Sequence, residues 1–342
     1  MGITYKEIHD TFHALNKTAA YLEERWEDIA GFISGKARFI FVGCGSSYSI
    51  AKSMAAICNM HTDIPASALA AGDILLHAPR YKKMIDGAAL VFISRSGRTS
   101  ELLMALEALS AEGVSMSVLS LAAAEETPMG EKSDLSLETP WAFDESVCQT
   151  RTVTNFYFMC AYIFAKYTGD AATLRDLQYL LQEGAPYLAQ AEALAKELAG
   201  KPWNRAVVLA DAELEGLAEE GALAFKEVCQ LPANYYHALD SRHGPIVLFG
   251  EETLILFCLG TTHELELNLL ADLKGKGSHV VVFSDMPRSI PGVSSIHFGR
   301  ALTHVARGVP FILLCQLVAY EKSKVTGADP DNPTGLDPWI KL

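Results

Sequence analysis

The chain has 342 residues, half of them hydrophobic, and a formal charge of −13. Such a length exceeds one ordinary core and suits two domains. The acidic balance argues against a nucleic-acid surface, which needs clustered Lys and Arg, but one phosphate can still be held by backbone N–H groups and hydroxyls.

No apolar stretch reaches the ~18 residues of a membrane helix, and "VPFILLCQLVAY" is too short. The start, "MGITYKEIHDTFHAL", has no basic head and apolar run of a secretory signal, and Lys6 stands where a myristoylation pattern needs Ser or Thr. The seven cysteines include no C-x-x-C pair, so they read as buried small residues of a reducing cytoplasm. No His/Asp/Glu group has metal-ligand spacing, and neither a metal nor a cofactor is expected.

Residues 1–30 read as an N-terminal helical segment. Short apolar strands and amphipathic helices then alternate: strand 38–43, helix from about Tyr48, "DIPASALAAGDILLH" running into a loop, strand 88–93, helix 99–111, strand 115–120, "SDLSLETP" at 133–140 and a long helix over 150–168. Strands separated by helices predict an α/β fold, a doubly wound parallel sheet with helices on both faces. Residues 31–170 form the first domain on this reading, 171–200 a connector helix and 201–342 a second domain.

The second half echoes the first. "LVFISRSGRTSELLMALEALSAEGVSMSVLS" returns as "LILFCLGTTHELELNLLADLKGKGSHVVVFS", with Gly97 matching Gly260 and Gly113 matching Gly277. The fold is therefore expected to be duplicated. The copies differ in their turns: "CGSSYS" and "SRSGRTS" in the first face "ADAELEG" and "CLGTTHE" in the second. A structural role common to both would have kept the hydroxyls in both, so those of the first copy point to a ligand.

Both hydroxyl-rich turns lie where a strand ends and a helix begins, where ligands bind in such sheets. First-turn N–H groups are unpaired and favour an anion. Ser46, Ser47, Ser94, Ser96 and Thr99 add donors, while Gly43, Gly45 and Gly97 allow close approach. Ordinary N-capping is the competing explanation, and it uses one hydroxyl per helix. "GCGSSY" lacks the third glycine of a dinucleotide fingerprint, and no G-K-[ST] marks a P-loop.

Together, "GCGSSYS", "SRSGRTSE" and "EEGALAFKEVCQLPANYYHALDSRHGP" resemble the sugar isomerase (SIS) family in its two-copy form. That family includes the isomerase part of glucosamine-6-phosphate synthase, aminosugar-phosphate isomerases and deaminases, and fructosamine-6-phosphate deglycases. The likeness runs from about residue 25 to 335. It implies a sugar-phosphate ligand at Ser46, Ser47, Ser94, Arg95, Ser96 and Thr99, with Glu145 and Thr150 of "DESVCQT" beside the sugar.

Moving a carbonyl between C1 and C2 needs a base that carries a proton from one carbon to the other. Opening the ring first needs a proton shuttle, which histidine provides near neutrality. By resemblance Glu227 is the proton carrier and His243, sixteen residues on in an H-G-P turn, the ring opener that reaches the neighbouring subunit's site, so at least a homodimer is implied. Read alone, Glu227 is a helix carboxylate and His243 a turn residue. His237 is the alternative to His243, and Lys226 points away from its neighbour around the helix.

Two departures are visible. The synthase's N-terminal glutaminase domain has no counterpart before "MGITYKEI", so glutamine-dependent amination is not expected. Pro338 occupies the place of the family's tail lysine, with Lys341 nearby but out of register. The resemblance therefore implies a cytoplasmic phosphosugar isomerase for an amino- or amine-linked 6-phosphosugar, of deaminase or deglycase type. A plain aldose–ketose isomerase and a non-catalytic sugar-phosphate sensor are the alternatives.

Overall fold

The computed structural model describes residues 2–260, 264–285 and 290–337. The chain divides into two compact units. The first comprises the described residues of Asp10–Glu145, Arg151–Leu181 and Asp337–Leu342; the second, those of Met1–His9, Ser146–Thr150 and Gln182–Leu336.

Helix α1 (Ile3–Glu24) is followed across Arg25 by α2 (Trp26–Ile33), so the N-terminal helical segment is two helices. The first unit then alternates β1 (Phe39–Gly43), α3 (Ser46–His61), β2 (Ala66–Ala70), α4 (Ala71–Ile85), β3 (Ala88–Ser94), α5 (Ser100–Ala111) and β4 (Met116–Ala122). The short α6 (Pro128–Glu131), β5 (Leu135–Glu138) and α7 (Arg151–Thr168) complete it, with the start of α8 (Ala171–Ala199). Its five strands are parallel in the order β2-β1-β3-β4-β5.

The central strands are buried along their whole length, as a sheet covered on both faces requires. Alternation along β1 divides its side chains. Ile40 and Val42 join Leu90 and Phe92 of β3 in a core with Ile74 of α4 and Leu102 and Leu106 of α5. Phe39 and Phe41 point the other way, edge-on to Phe164 of α7 with ring centroids 6.1 and 6.4 Å away. Each fully buried side chain of this size contributes about 1.5–3 kcal/mol.

The second unit holds β6 (Arg205–Leu209), α9 (Glu215–Val228), β7 (Ala233–Tyr236), β8 (Thr253–Cys258), α10 (Glu264–Gly275), β9 (His279–Phe283), β10 (Ser294–Ile296) and α11 (His304–Thr326). The order is β10-β9-β8-β6-β7, again all parallel. Read from β7, this is the permutation of the first sheet, as a duplicated fold demands. The apolar run "VPFILLCQLVAY" is the middle of α11, where every residue from Val305 to Ser323 is buried. A helix apolar all round belongs inside a protein. It packs closely on α9: a Cβ on Gly221 would stand 2.9 Å from the Cys315 sulfur. No described helix is long and apolar enough to cross a membrane.

Candidate active site

In the first sheet β1 and β3 are neighbours, but the chain leaves β1 toward β2 and β3 toward β4. The two connections diverge above the carboxyl ends of these strands and leave a crevice there, the usual ligand position in such sheets. Both hydroxyl-rich turns border it.

The β1–α3 turn is shaped by glycine. A Cβ on Gly43 would come within 2.4–2.6 Å of the Ser47–Tyr48 backbone, so only glycine lets α3 start this close to the strand. Gly45 sits at φ 52°, ψ −126°, and α3 begins at the next residue. Ser46 and Ser47 are each 5% exposed, and neither hydroxyl makes a hydrogen bond among the described residues.

In the β3–α5 turn, the Ser94 hydroxyl lies 2.8 Å from that of Thr99 and accepts the Gly97 N–H at 3.0 Å. Ser96 Oγ accepts the Arg98 N–H at 3.2 Å. Gly97 has φ +60°, and a Cβ there would stand 2.4 Å from Thr127, whose hydroxyl caps α6 by accepting the Gly130 N–H. The capping explanation needs correction: the N-cap of α3 is a glycine, and Thr99, the N-cap of α5, makes no capping bond. Capping thus accounts for none of these hydroxyls, where one per helix was expected.

Arg95 is buried and donates to the Asp144 carbonyl at 3.2 Å, with its guanidinium carbon 5.6 Å from the Phe143 ring centre. It thereby holds the chain just before the exposed Glu145. Asp144 also accepts the Thr152 N–H at 2.9 Å, and Arg151 reaches Asp10 at 2.6 Å. Sequence reasoning singled out neither Asp144 nor Arg151, since nothing local marks them. Cys44, between Gly43 and Gly45, is half-buried; burial first, and then the Glu101 carboxylate, push its thiol up to about 11, against amides of Ala71 and Gly72. It is therefore a neutral thiol, not a nucleophile.

In the second unit, Glu227 lies in the last turn of α9 and is partly exposed, with exposed Lys226 beside it. Thr150 is fully buried, and its carbonyl accepts from Gln316 Nε2 at 3.0 Å. His243 ends a single 3₁₀ turn (Leu239–Arg242), its N–H bonded to the Asp240 carbonyl at 2.8 Å, before Gly244 at φ 120°. Its imidazole is exposed and takes no partner among the described residues. His237 is different: Nδ1 lies 3.1 Å from Asp211. Around His243, Val247 and Leu248 stand 73% and 64% exposed. At the matching glycine of the second copy, Glu266 accepts the Gly260 N–H at 2.9 Å. Pro338 and Lys341 lie outside the described residues, as do Thr261, Thr262 and His263 of the second copy's turn. Among the described residues no three His, Cys, Asp or Glu side chains are grouped to hold a metal.

Two duplicated parallel sheets, with a hydroxyl-lined crevice in the first, define the class of fold, and residues 32–166 match the SIS domain family. It is homologous over 97% of its length to glutamine–fructose-6-phosphate aminotransferases (isomerizing), at 27% identity to that of Caulobacter vibrioides and 26% to that of Pyrobaculum aerophilum. The chain spans little over half of these relatives, 57% and 56%. Among solved structures it is similar to glucosamine-6-phosphate deaminase from Thermotoga maritima (22% identity, TM-score 0.82, covering 99% of this chain and 100% of that one). It is similar also to tagatose-6-phosphate ketose/aldose isomerase from Escherichia coli (24%, TM-score 0.85, 99% and 97%). At these identities the two structures speak for the fold.

Proposed function

We infer that the protein isomerises a 6-phosphorylated sugar carrying an amine and releases that amine. The observation that supports this most is the pair Ser46 and Ser47 at the start of α3, residues only 5% exposed whose hydroxyls take no partner among the described residues. Two adjacent hydroxyl donors beside the unpaired N–H groups of a helix N-terminus suit an anion. A phosphate ester supplies it, with Ser94, Ser96 and Thr99 facing it from the second turn and Arg95 bracing the 143–144 backbone.

On this reading residues 31–170 bind the phosphosugar, residues 171–200 connect, and residues 201–342 carry the reacting groups. His243 relays the proton that opens the ring. Glu227 takes a proton from one carbon of the C1–C2 pair and returns it to the other through an enediol or enaminol. The imine so formed takes up water, and the amine leaves. Glu145 and Thr150 belong to the loop beside the sugar. The lone imidazole of His243, with Val247 and Leu248 exposed beside it, supports a second copy of the chain as the partner this turn reaches. The relatives' names, a fructose-6-phosphate aminotransferase and a glucosamine-6-phosphate deaminase, support an amine-bearing 6-phosphosugar.

The test is incubation with a panel of 6-phosphorylated fructosamines and hexosamines, with free amine and ketose–aldose conversion as readouts. Amine release identifies the substrate. Conversion without amine release makes the protein a plain isomerase; tight binding with no turnover makes it a sensor.

A further inference from the structure

Residues 146–150 are held from two sides within the second unit. Glu7 of α1, only 4% exposed, accepts the Ser146 N–H at 3.2 Å on one carboxylate oxygen and the Ser146 hydroxyl on the other. At the far end Gln316 of α11, fully buried, donates to the Thr150 carbonyl at 3.0 Å. The start of α1 is itself pinned by Asp331, which accepts the Ile3 and Thr4 N–H groups at 2.8 and 2.7 Å and the Thr4 hydroxyl at 2.7 Å. Between the two holds, the Gln149 side-chain oxygen is buried and has no hydrogen-bond partner among the described residues.

A carboxylate buried this deeply carries a desolvation cost that hydrogen bonds must offset. Spending it on a loop 139 residues away makes sense where that loop's position matters. An acceptor left without a donor is likewise costly unless a ligand supplies one.

We propose that Glu7 is a positioning residue for the sugar: by fixing Ser146 it sets the 146–150 loop so that Gln149 accepts from a hydroxyl or amine of the bound phosphosugar. This rests on the reading of that loop as the sugar loop. Glu7 touches no reacting atom; it acts through Ser146.

Glu7→Gln in the full chain keeps the side-chain volume but sets an amide NH₂ against the Ser146 donors. Amide hydrogen exchange at residues 146–150 is expected to quicken about tenfold, with exchange in β6 and β8 unchanged. Affinity for glucosamine 6-phosphate should fall about tenfold, while inorganic phosphate, which reports on the hydroxyl turns alone, binds as before. Ser146→Ala should move both readouts the same way by less, and it serves if Glu7→Gln fails to fold. Unchanged exchange and affinity in these variants overturn the inference. So does a general loss, with faster exchange throughout and phosphate binding weakened too. Wild-type protein that binds neither glucosamine 6-phosphate nor fructose 6-phosphate overturns this inference and the proposed function together; wild-type binding with unaltered variants overturns this inference alone.

Discussion

The hydroxyl oxygens of Ser94 and Thr99 lie 2.8 Å apart, and the Gly97 N–H closes on the Ser94 oxygen at 3.0 Å. One hydroxyl hydrogen serves the contact between the two residues, which leaves the other to point at a ligand. The turn is thus set before any ligand arrives, and little ordering cost remains to be met on binding.

This arrangement separates two serines that look alike in sequence. Ser47→Ala removes a hydroxyl with no partner among the described residues, so the urea midpoint should stay put while phosphosugar affinity drops by about 1.5–3 kcal/mol, tenfold or more. Ser94→Ala takes one of the two acceptors of the Gly97 N–H, leaving the Ser94 carbonyl at 3.3 Å, and should cost about 0.5–1.5 kcal/mol of folding stability as well. Equal midpoints for the two variants would show that the turn is not organised this way.

Gly97→Ala places a Cβ 2.4 Å from Thr127 at φ +60°. A left-handed residue with a side chain costs about 1–2 kcal/mol before the clash is counted. The variant should unfold several degrees below the wild type in a thermal scan. Thr127→Ser, made in the same background, removes the crowding methyl group and should recover part of the loss.

Cys44 offers a chemical readout of the crevice. With its thiol raised from 9.0 to about 11, it holds about 100-fold less thiolate than an ordinary cysteine at pH 8. Iodoacetamide should label it correspondingly slowly, as followed by peptide mass spectrometry. Rapid stoichiometric labelling at pH 8 would contradict the buried environment described here.

Asp331 should make the second unit acid-sensitive. Burial pushes its carboxyl up, but hydrogen bonds from the Thr4 N–H, the Thr4 hydroxyl and the Ile3 N–H outweigh it and hold the group below its ordinary value. The folded chain then binds fewer protons than the unfolded one around the ordinary carboxylate pKa. This contribution is complete above the unfolded value and lost as pH falls through the folded one. Asp331→Asn should flatten the fall in stability over that acidic range, measured by urea unfolding at a series of pH values.

Glu227→Gln should lower kcat for the phosphosugar at least ~100-fold, the usual size of a lost general base, while phosphosugar binding persists. Turnover within a few-fold of the wild type would remove Glu227 from the mechanism.

The two turns that border the crevice were legible in the sequence because the information is local. Gly43, Gly45, Ser46 and Ser47 shape one strand-to-helix turn, and Ser94, Gly97 and Thr99 the other. Strand β2 was not legible. Its residues, Ala66–Ala70, are small and only half-buried, with no apolar run to mark them, and the segment is a strand because β1 pairs along its whole length. The role of capping was also misjudged, since which hydroxyl faces an amide depends on turn geometry that composition does not carry.

What the sequence determined by itself was the alternation of strand and helix, its duplication, and the types of side chain at two sheet ends, because hydrophobic period and turn chemistry act over a few residues. Tertiary structure alone decided which buried groups were left unsatisfied and which distant ones satisfy them. The Gln149 side-chain oxygen is buried without a partner among the described residues only because of how its loop is seated, and Glu7 meets Ser146 only because the chain brings residues 139 apart together. Hydrogen-bond satisfaction is a property of three-dimensional surroundings, and no window of sequence contains it.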